Sequence, residues 1–262
     1  MVSSKPVTLL AAWLILGCPS AVRAQPAAGF AYLLDVDATI RQDIRYAGTH
    51  NFVGRRIDGY LAAECVLSER AARALQQVQA ELAARKLSLI VWDCYRPVRA
   101  VRDFASWSRI PSDTRTKAEF YPNTDKAQLF ALGYLARRSG HSHGSTVDLG
   151  IVPAGLTSLP AYDPSVPMKP CTAPKGERFE DGTIDFGTGY DCLDPLASTN
   201  SPGVGARASA NRWRLQEVMR RFGFGPYSRE WWHFDLTDEP FPQQAFDFPI
   251  LPRGFAPAAP SR

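Results

Sequence analysis

The sequence has no hydrophobic run long enough to span a bilayer, little excess of charge of one sign and no internal repeat. The apolar run from Val7 to Leu16 is about half of the roughly 20 residues that a transmembrane helix needs. The 30 Lys and Arg residues exceed the 26 Asp and Glu residues by only four, too few for nucleic-acid binding through phosphate contacts. The 45% of hydrophobic residues argues against disorder. These absences favour an ordinary globular protein, and 262 residues suit one sizeable domain.

The N-terminus has the features of a secretory signal peptide. Lys5 precedes the short apolar run, and small residues follow it up to Ala24. We expect cleavage after residue 24, export, most simply to the periplasm, and no stable membrane insertion afterwards. An uncleaved N-terminal anchor is one alternative. Lipidation of Cys18 is another, because Leu16-Gly17-Cys18 weakly resembles a lipoprotein signal.

Cysteine is scarce, and no CxxC pair suggests a metal or redox role for sulfur. Without Cys18 four cysteines remain, an even number that favours disulfides in an exported protein. Cys171 and Cys192 bracket a Pro/Gly-rich stretch, and Cys65 and Cys94 flank a predicted helix and strand. We therefore favour the pairs 65–94 and 171–192 among three possible connectivities, with free buried thiols as the alternative.

The hydrophobic pattern mixes helices and strands without a regular βαβ alternation, which predicts an α+β fold. We expect one domain over residues 31–251, with a central, mainly antiparallel sheet and flanking helices, followed by a Pro/Ala-rich tail over residues 252–262. Helices are predicted after the N-cap Ser68, after Pro97, and over residues 125–138 and 209–222, and strands over residues 87–95, 146–152 and 230–236.

Two short segments contain three of the four histidines. The first runs from Ser139 to Asp148, and the second is Glu230-Trp231-Trp232-His233. Two imidazoles and one carboxylate are a known set of protein ligands for catalytic zinc, which leaves a fourth position open for water. His141, Asp148 and His233 supply such a set.

Geometry limits how these residues can meet, because successive side chains of a strand point to opposite faces. His141 has to enter from the loop before the strand that carries Asp148, and Glu230 and His233 converge only if a turn or bulge intervenes. Each element also has a plainer interpretation. The HxH would be a solvated turn, the two Trp residues would be core aromatics, and Asp148 would cap a turn. Taken together, a Glu beside two indoles and a His is typical of a carboxylate whose pKa is raised for use as a general base.

The motifs resemble those of a known family. The pattern SxHxxGxxxD is met by Ser139, His141, Gly144 and Asp148, and the pattern ExWH by Glu230, Trp232 and His233. Further matches in the family's order are Tyr46-Ala47 with Asn51-Phe52 and Gly54, Asp93-Cys94-Tyr95-Arg96-Pro97, Phe120-Tyr121-Pro122 and Gly187-Thr188-Gly189-Tyr190-Asp191. Through these residues nearly all of the mature chain resembles the zinc D-alanyl-D-alanine dipeptidases, which are close relatives of the zinc D,D-carboxypeptidases of cell-wall metabolism.

The resemblance implies roles for particular residues. His141, Asp148 and His233 would bind one Zn²⁺ per chain, Glu230 would be the catalytic base, and Arg96 would face the scissile carbonyl. Asp191 would meet the ammonium group of the substrate, and Ser139 would make a polar contact with it. The sequence departs from the family at two positions, Thr146 in place of a frequent Ala and His143 in place of a frequent Arg. Neither is a ligand position, so the departures affect the expected specificity rather than the chemistry.

Three functions fit these residues. The first is hydrolysis of the small molecule D-Ala-D-Ala to two D-alanines by a zinc metallopeptidase. The second is a D,D-carboxypeptidase that releases D-Ala from peptidoglycan stem peptides. The third is a non-catalytic zinc-bearing module that binds the cell wall. Glu230 argues against the third, because binding alone needs no base, and the DCYRP and NF segments favour the dipeptidase.

Overall fold

The computed structural model describes residues 26–254, in which short and long strands alternate irregularly with helices. Within that range the strands are β1 (Phe30–Tyr32), β2 (Arg41–Gln42), β3 (Val66–Ser68), β4 (Leu87–Asp93), β5 (Thr146–Pro153), β6 (Phe224–Pro226) and β7 (His233–Leu236). The α-helices are α1 (Leu33–Val36), α2 (Glu69–Ala83), α3 (Val98–Ser108), α4 (Lys117–Phe120) and α5 (Ala206–Arg221).

The centre of the fold is a five-stranded sheet with the strand order β2-β4-β5-β7-β6. Only β2 and β4 run parallel, and the other neighbours pair antiparallel. Strands β1 and β3 form a separate antiparallel pair. The α+β fold with a mainly antiparallel central sheet, expected from the sequence, is confirmed.

The long helices α2 and α5 pack on strands of the central sheet. Helix α2 begins at Ser68, whose hydroxyl oxygen accepts a hydrogen bond from the backbone N–H of Ala71. Its apolar stripe is buried and packs against β4, while α5 packs against β6 and also contacts α2. The stripe consists of Ala71, Leu75, Val78 and Leu82.

The prediction of a helix over residues 125–138 is wrong. Asp125 does cap a turn, but only the short 3-10 helix Lys126–Gln128 follows. The chain then reverses at Gly133, which has a φ of 80°, and the backbone N–H groups of Tyr134 and Leu135 both donate to the carbonyl of Leu129. The reversal buries Tyr134 and Leu135 at the wall of the cavity that Glu230 and His233 also line, instead of leaving them on a helix.

Two predicted boundaries also differ. Strand β7 begins at His233 rather than at residue 230, because a turn closes there and the N–H of His233 donates to the carbonyl of Glu230 at 3.3 Å. Helix α5 begins three residues before the predicted Ser209 and ends before Gly223, whose φ of 87° stops it as expected.

Several predictions concern residues outside the described range. The signal peptide, Cys18 and most of the tail after residue 252 lie there. Within residues 26–254, no helix is both long enough and apolar enough to cross a membrane.

Both favoured cysteine pairs come together. The structure joins Cys65 to Cys94 and Cys171 to Cys192, which ties β3 to the end of β4 and closes the Pro/Gly-rich loop. Each bridge closes a loop of 21 or 29 residues, which restricts the unfolded chain.

We expect mass spectrometry of the non-reduced protein to find peptides joined through Cys171–Cys192 and through Cys65–Cys94. Replacing Cys171 and Cys192 together by Ala should lower the free energy of unfolding by about 3 kcal/mol, measured by urea titration. Free thiols at Cys171 and Cys192 in the purified exported protein would contradict this pairing.

Candidate active site

Three acidic and imidazole side chains lie in a row across the middle of the sheet. Asp148 on β5 is directly opposite His233 on β7 and directly opposite Asp93 on β4. Directly opposed residues of antiparallel strands place their side chains on the same face. The strand register alone therefore brings residues that are far apart in sequence to one point.

A bulge in β4 sets this row. Val91 pairs with Leu149, but the next pairing is Asp93 with Asp148, so one residue is skipped. Without the bulge Trp92 would oppose Asp148. The Trp92 ring instead stacks on Tyr190 at 4.6 Å and packs over Gly150, where an added Cβ would come within 2.7 Å of it.

His141 enters from the loop before β5, as its position in the sequence requires. It lies on the 3-10 helix Gly140–His143, which ends at Gly144. Gly144 has a φ of 82°, and an added Cβ would lie 2.1 Å from the Phe30 ring, so only glycine fits there. The backbone N–H of Arg96 donates to the carbonyl of His141, which anchors the loop to the start of α3.

The potential ligand atoms form a compact triangle. His141 Nε2 lies 3.3 Å from His233 Nδ1, and Asp148 Oδ1 lies 3.3 Å from the first and 3.1 Å from the second. Two ligands bound at about 2.0–2.1 Å with tetrahedral angles lie about 3.3–3.4 Å apart. Among residues 26–254 this is the group of His, Cys, Asp and Glu side chains whose ligand atoms lie close enough together to hold a metal ion.

Asp148 Oδ1 provides a test of whether a metal fits. It is buried and accepts no hydrogen bond from any described residue, although two imidazole nitrogens lie within 3.3 Å. A buried carboxylate oxygen without a partner is costly. The cost disappears if the oxygen and both nitrogens bind one cation, so the donor set fits Zn²⁺.

A backbone carbonyl and a side chain fix the orientation of the two imidazoles. His141 Nδ1 donates to the carbonyl of Cys94 at 2.7 Å, which leaves Nε2 free as a ligand atom. His233 Nε2 lies 3.5 Å from Asp235 Oδ1, and the Thr146 hydroxyl donates to the same oxygen at 2.6 Å. Asp235 belongs to neither of the two sequence motifs. The period-two alternation of β7 could have found it, because Asp235 follows His233 by two residues.

The charges of the site favour a cation between these ligands. Burial lowers the pKa of His233, but Asp148 and Asp235 outweigh burial and raise it to about 10. Burial raises the pKa of Asp148, but the His141 and His233 charges hold it well below its usual range. A proton or a metal ion is therefore stabilised where the three side chains meet.

Glu230 lies beside the triangle but not in it. The turn before β7 brings its Oε2 to 3.6 Å from His233 Nδ1, and the carboxylate lines the cavity. Burial raises the pKa of the Glu230 carboxyl to about 7, with His233 lowering it and Asp148 raising it. The neighbouring Trp231 and Trp232 are core aromatics, as the plainer interpretation held: both are buried, and Trp231 stacks on Phe186 at 4.1 Å.

Arg96 is held at the opposite side by Asp93. The Asp93 Oδ2 atom accepts hydrogen bonds from Arg96 Nε at 2.8 Å and lies 2.7 Å from Nη2, while Tyr60 donates to Oδ1 at 2.5 Å. The guanidinium packs over the Tyr46 and Phe104 rings and reaches within 3.7 Å of Asp148 Oδ2. In the sequence, Asp93 is noted only as the first residue of the Asp93-Cys94-Tyr95-Arg96-Pro97 motif. Its contact with the Arg96 guanidinium was not predicted.

Asp191 is buried in the wall of the same cavity. The Tyr46 hydroxyl donates to its Oδ2 at 2.9 Å. Burial, and then the charge of Asp148, raise the pKa of Asp191 well above its usual range. Its backbone has a φ of 55°, an uncommon conformation for a residue other than glycine that is often found at functional sites.

A cavity of about 290 Å³ joins these groups. Arg96, Asp148, Asp191, Glu230 and His233 line it, and so does the half-buried Ser139. His143 does not: its Nδ1 lies 3.0 Å from Glu239 Oε1, away from the ligand triangle. The cavity is thus lined by every predicted catalytic, metal and substrate residue except His141, which is buried and contacts the lining residues Asp148 and His233.

Comparison with known proteins agrees with this geometry. Residues 26–159 and 178–251 match the peptidase M15 family model described as D-ala-D-ala dipeptidase. A D-alanyl-D-alanine dipeptidase of Streptomyces coelicolor is 38% identical over 84% of this chain and 98% of its own length. A D-alanyl-D-alanine dipeptidase of Enterococcus faecium is 35% identical over 85% of this chain and 98% of its own length.

A crystal structure of a vancomycin-resistance D,D-pentapeptidase in complex with Zn(II) aligns with 68% of this chain and 76% of its own. Its TM-score of 0.34 and identity of 15% are too low to carry a conclusion. The family match and the two dipeptidases span most of the described residues, and on that basis this chain belongs to the D-ala-D-ala dipeptidase family of M15 peptidases.

Proposed function

We propose that the protein is a zinc metallopeptidase that hydrolyses D-Ala-D-Ala to two D-alanines. One observation supports this function most strongly. The ligand atoms of His141, Asp148 and His233 converge on one point, and Glu230 lies beside them in a small cavity. The relatives named D-alanyl-D-alanine dipeptidase suggest the substrate.

His141 Nε2, Asp148 Oδ1 and His233 Nδ1 would hold a single Zn²⁺ per chain. When bound, zinc supplies Lewis acidity, which polarises the peptide carbonyl and lowers the pKa of water. The outer partners Cys94 and Asp235 keep both imidazoles in the orientation and tautomer that this binding needs.

Glu230 is the proposed general base. Its carboxylate accepts the proton of the attacking water and returns it to the departing amine, so it acts twice in one turnover. A pKa near 7 suits both tasks, because the group can give up the proton as readily as it takes it.

Arg96 is proposed to stabilise the negative charge that develops on the carbonyl oxygen. Its guanidinium always carries charge, and Asp93 and the two aromatic rings fix it in place, so little reorganisation is needed during reaction. Ser139 is a candidate for a polar contact with the substrate from the cavity wall.

Asp191 favours the dipeptidase over a carboxypeptidase that accepts stem peptides. A buried carboxylate whose hydrogen-bonding neighbour is the Tyr46 hydroxyl suits a free ammonium group. An acylated substrate would lose that charge pair.

We further propose that the protein is exported to the periplasm, where its cysteine pairs would be oxidised.

Replacing His141, Asp148 or His233 by Ala should abolish bound zinc, measured by metal analysis of the dialysed protein. Glu230→Gln should retain the metal and lose about 10²–10⁴-fold in kcat, because only proton transfer is removed.

His143→Ala is the matched control, because this histidine lies two residues from His141 but outside the ligand triangle. It should keep a full zinc content. Zinc loss from His143→Ala, or near-normal turnover by Glu230→Gln, would refute the assigned roles.

The wild-type protein should cleave D-Ala-D-Ala well and N-acetyl-D-Ala-D-Ala hardly at all. Acetylation removes the ammonium that would pair with Asp191, and loss of one partner of a buried charge pair costs about 2–5 kcal/mol, roughly 30-fold to several-thousand-fold in kcat/KM. Asp191→Asn should lose most of this preference, chiefly through lower activity on the free dipeptide.

Asp194→Asn serves as the control for Asp191→Asn. Asp194 caps the 3-10 helix Pro195–Ala197 outside the cavity, and Asn caps about as well as Asp. It should retain the preference. Equal cleavage of the acetylated and free dipeptides by the wild type would favour the carboxypeptidase instead.

A further inference from the structure

Two arginines line the cavity, and they differ in how their charge is compensated. Arg96 is paired with Asp93 and approaches Asp148. Arg138 is exposed to solvent and lies within 4.0 Å of no carboxylate oxygen in the described part of the chain. The charge of Arg138 is therefore not compensated by a carboxylate of the described residues. Arg138 also has no role in the proposed hydrolysis.

The surroundings of Arg138 add positive charge. Arg138, Ser139 and Gly140 also line a neighbouring groove of about 640 Å³, which shares this edge with the cavity. Arg102, Arg137 and His143 line the groove as well, and none of its lining residues is acidic. A groove lined by cations attracts anions towards its edge.

The segments that carry Arg138 and Asp191 are held by different parts of the site. Arg138 is two residues from Gly140, whose Cα packs so closely on Thr146 and Asp235 that an added Cβ would lie 2.6 Å and 3.0 Å from their oxygens. The segment that carries Arg138 therefore packs beside Asp235, the outer partner of His233. Asp191 is tied through Tyr46 to the Arg96 side.

We propose that Arg138 binds the C-terminal carboxylate of the substrate. The inference rests on the proposed hydrolysis of D-Ala-D-Ala, a zwitterion whose ends are at most about 7 Å apart when extended. Asp191 offers a carboxyl group for its ammonium end, and Arg138 offers a cation for its other end. Arg96 is not available for this contact, because Asp93 holds its Nε and Nη2 atoms.

This contact makes Arg138 a specificity-determining residue. A guanidinium can bind a carboxylate through two parallel hydrogen bonds, which a neutral amide cannot replace. Peptides with a free C-terminus one residue beyond the scissile bond are favoured, and those with a blocked or displaced C-terminus are not. The contact persists through the reaction, so it lowers KM more than it changes kcat.

The test compares D-Ala-D-Ala with D-alanyl-D-alaninamide, which lacks the carboxylate. Arg138→Gln should raise KM for D-Ala-D-Ala about tenfold or more, with kcat nearly unchanged, and should leave kcat/KM for the amide as it is in the wild type. Arg138→Lys should restore part of the preference for the free acid, because a point charge remains.

Arg137→Gln is the matched control, because Arg137 lines the groove but not the cavity. It should behave as the wild type with both substrates. An unchanged KM for D-Ala-D-Ala in Arg138→Gln, an equal loss in Arg137→Gln, or an equal loss with the amide would overturn the assignment. A zinc-loaded wild type that cleaves neither substrate would instead overturn the proposed function, and this inference with it.

Discussion

The register of three neighbouring strands is the constraint on which the rest of the site depends. Pairing Asp148 with His233 on one side and with Asp93 on the other places a metal ligand at the centre of a row. A shift by one residue in either ladder would send one of these side chains to the other face of the sheet. The bulge in β4 is part of this register, because it replaces Trp92 by Asp93 opposite Asp148.

Charges in the site alternate in sign, from the buried Asp93 to Asp235, which is exposed to solvent. Asp93 faces Arg96, Arg96 approaches Asp148, Asp148 faces two imidazoles, and His233 in turn faces Asp235. Each carboxylate thus has a positive neighbour, which offsets the cost of removing it from water. Asp191 is different, since its side-chain hydrogen bonds come from the hydroxyl of Tyr46 rather than from a cation, and it is the carboxylate left for a ligand.

Much of this arrangement can be predicted from the sequence, for identifiable reasons. The ligands and Glu230 lie in two motifs, and the α2 stripe follows helical periodicity. Local patterns do not show contacts between distant segments, so the orienting roles of Asp93 and Asp235 needed the structure. The prediction of a helix over residues 125–138 fails for a related reason. Gly133 adopts a left-handed conformation, and the burial of Tyr134 and Leu135 in the cavity wall outweighs the local helix propensity.

Both cysteine bridges end next to site residues. Cys94 follows Asp93 and presents its carbonyl to His141, and Cys192 follows Asp191. The bridges therefore hold the acid that orients Arg96 and the acid proposed to face the substrate, as well as the fold. Recombinant production in a reducing cytosol would yield a chain in which both acids have lost a covalent anchor, so an oxidising compartment or oxidative refolding is the appropriate route to material for metal analysis.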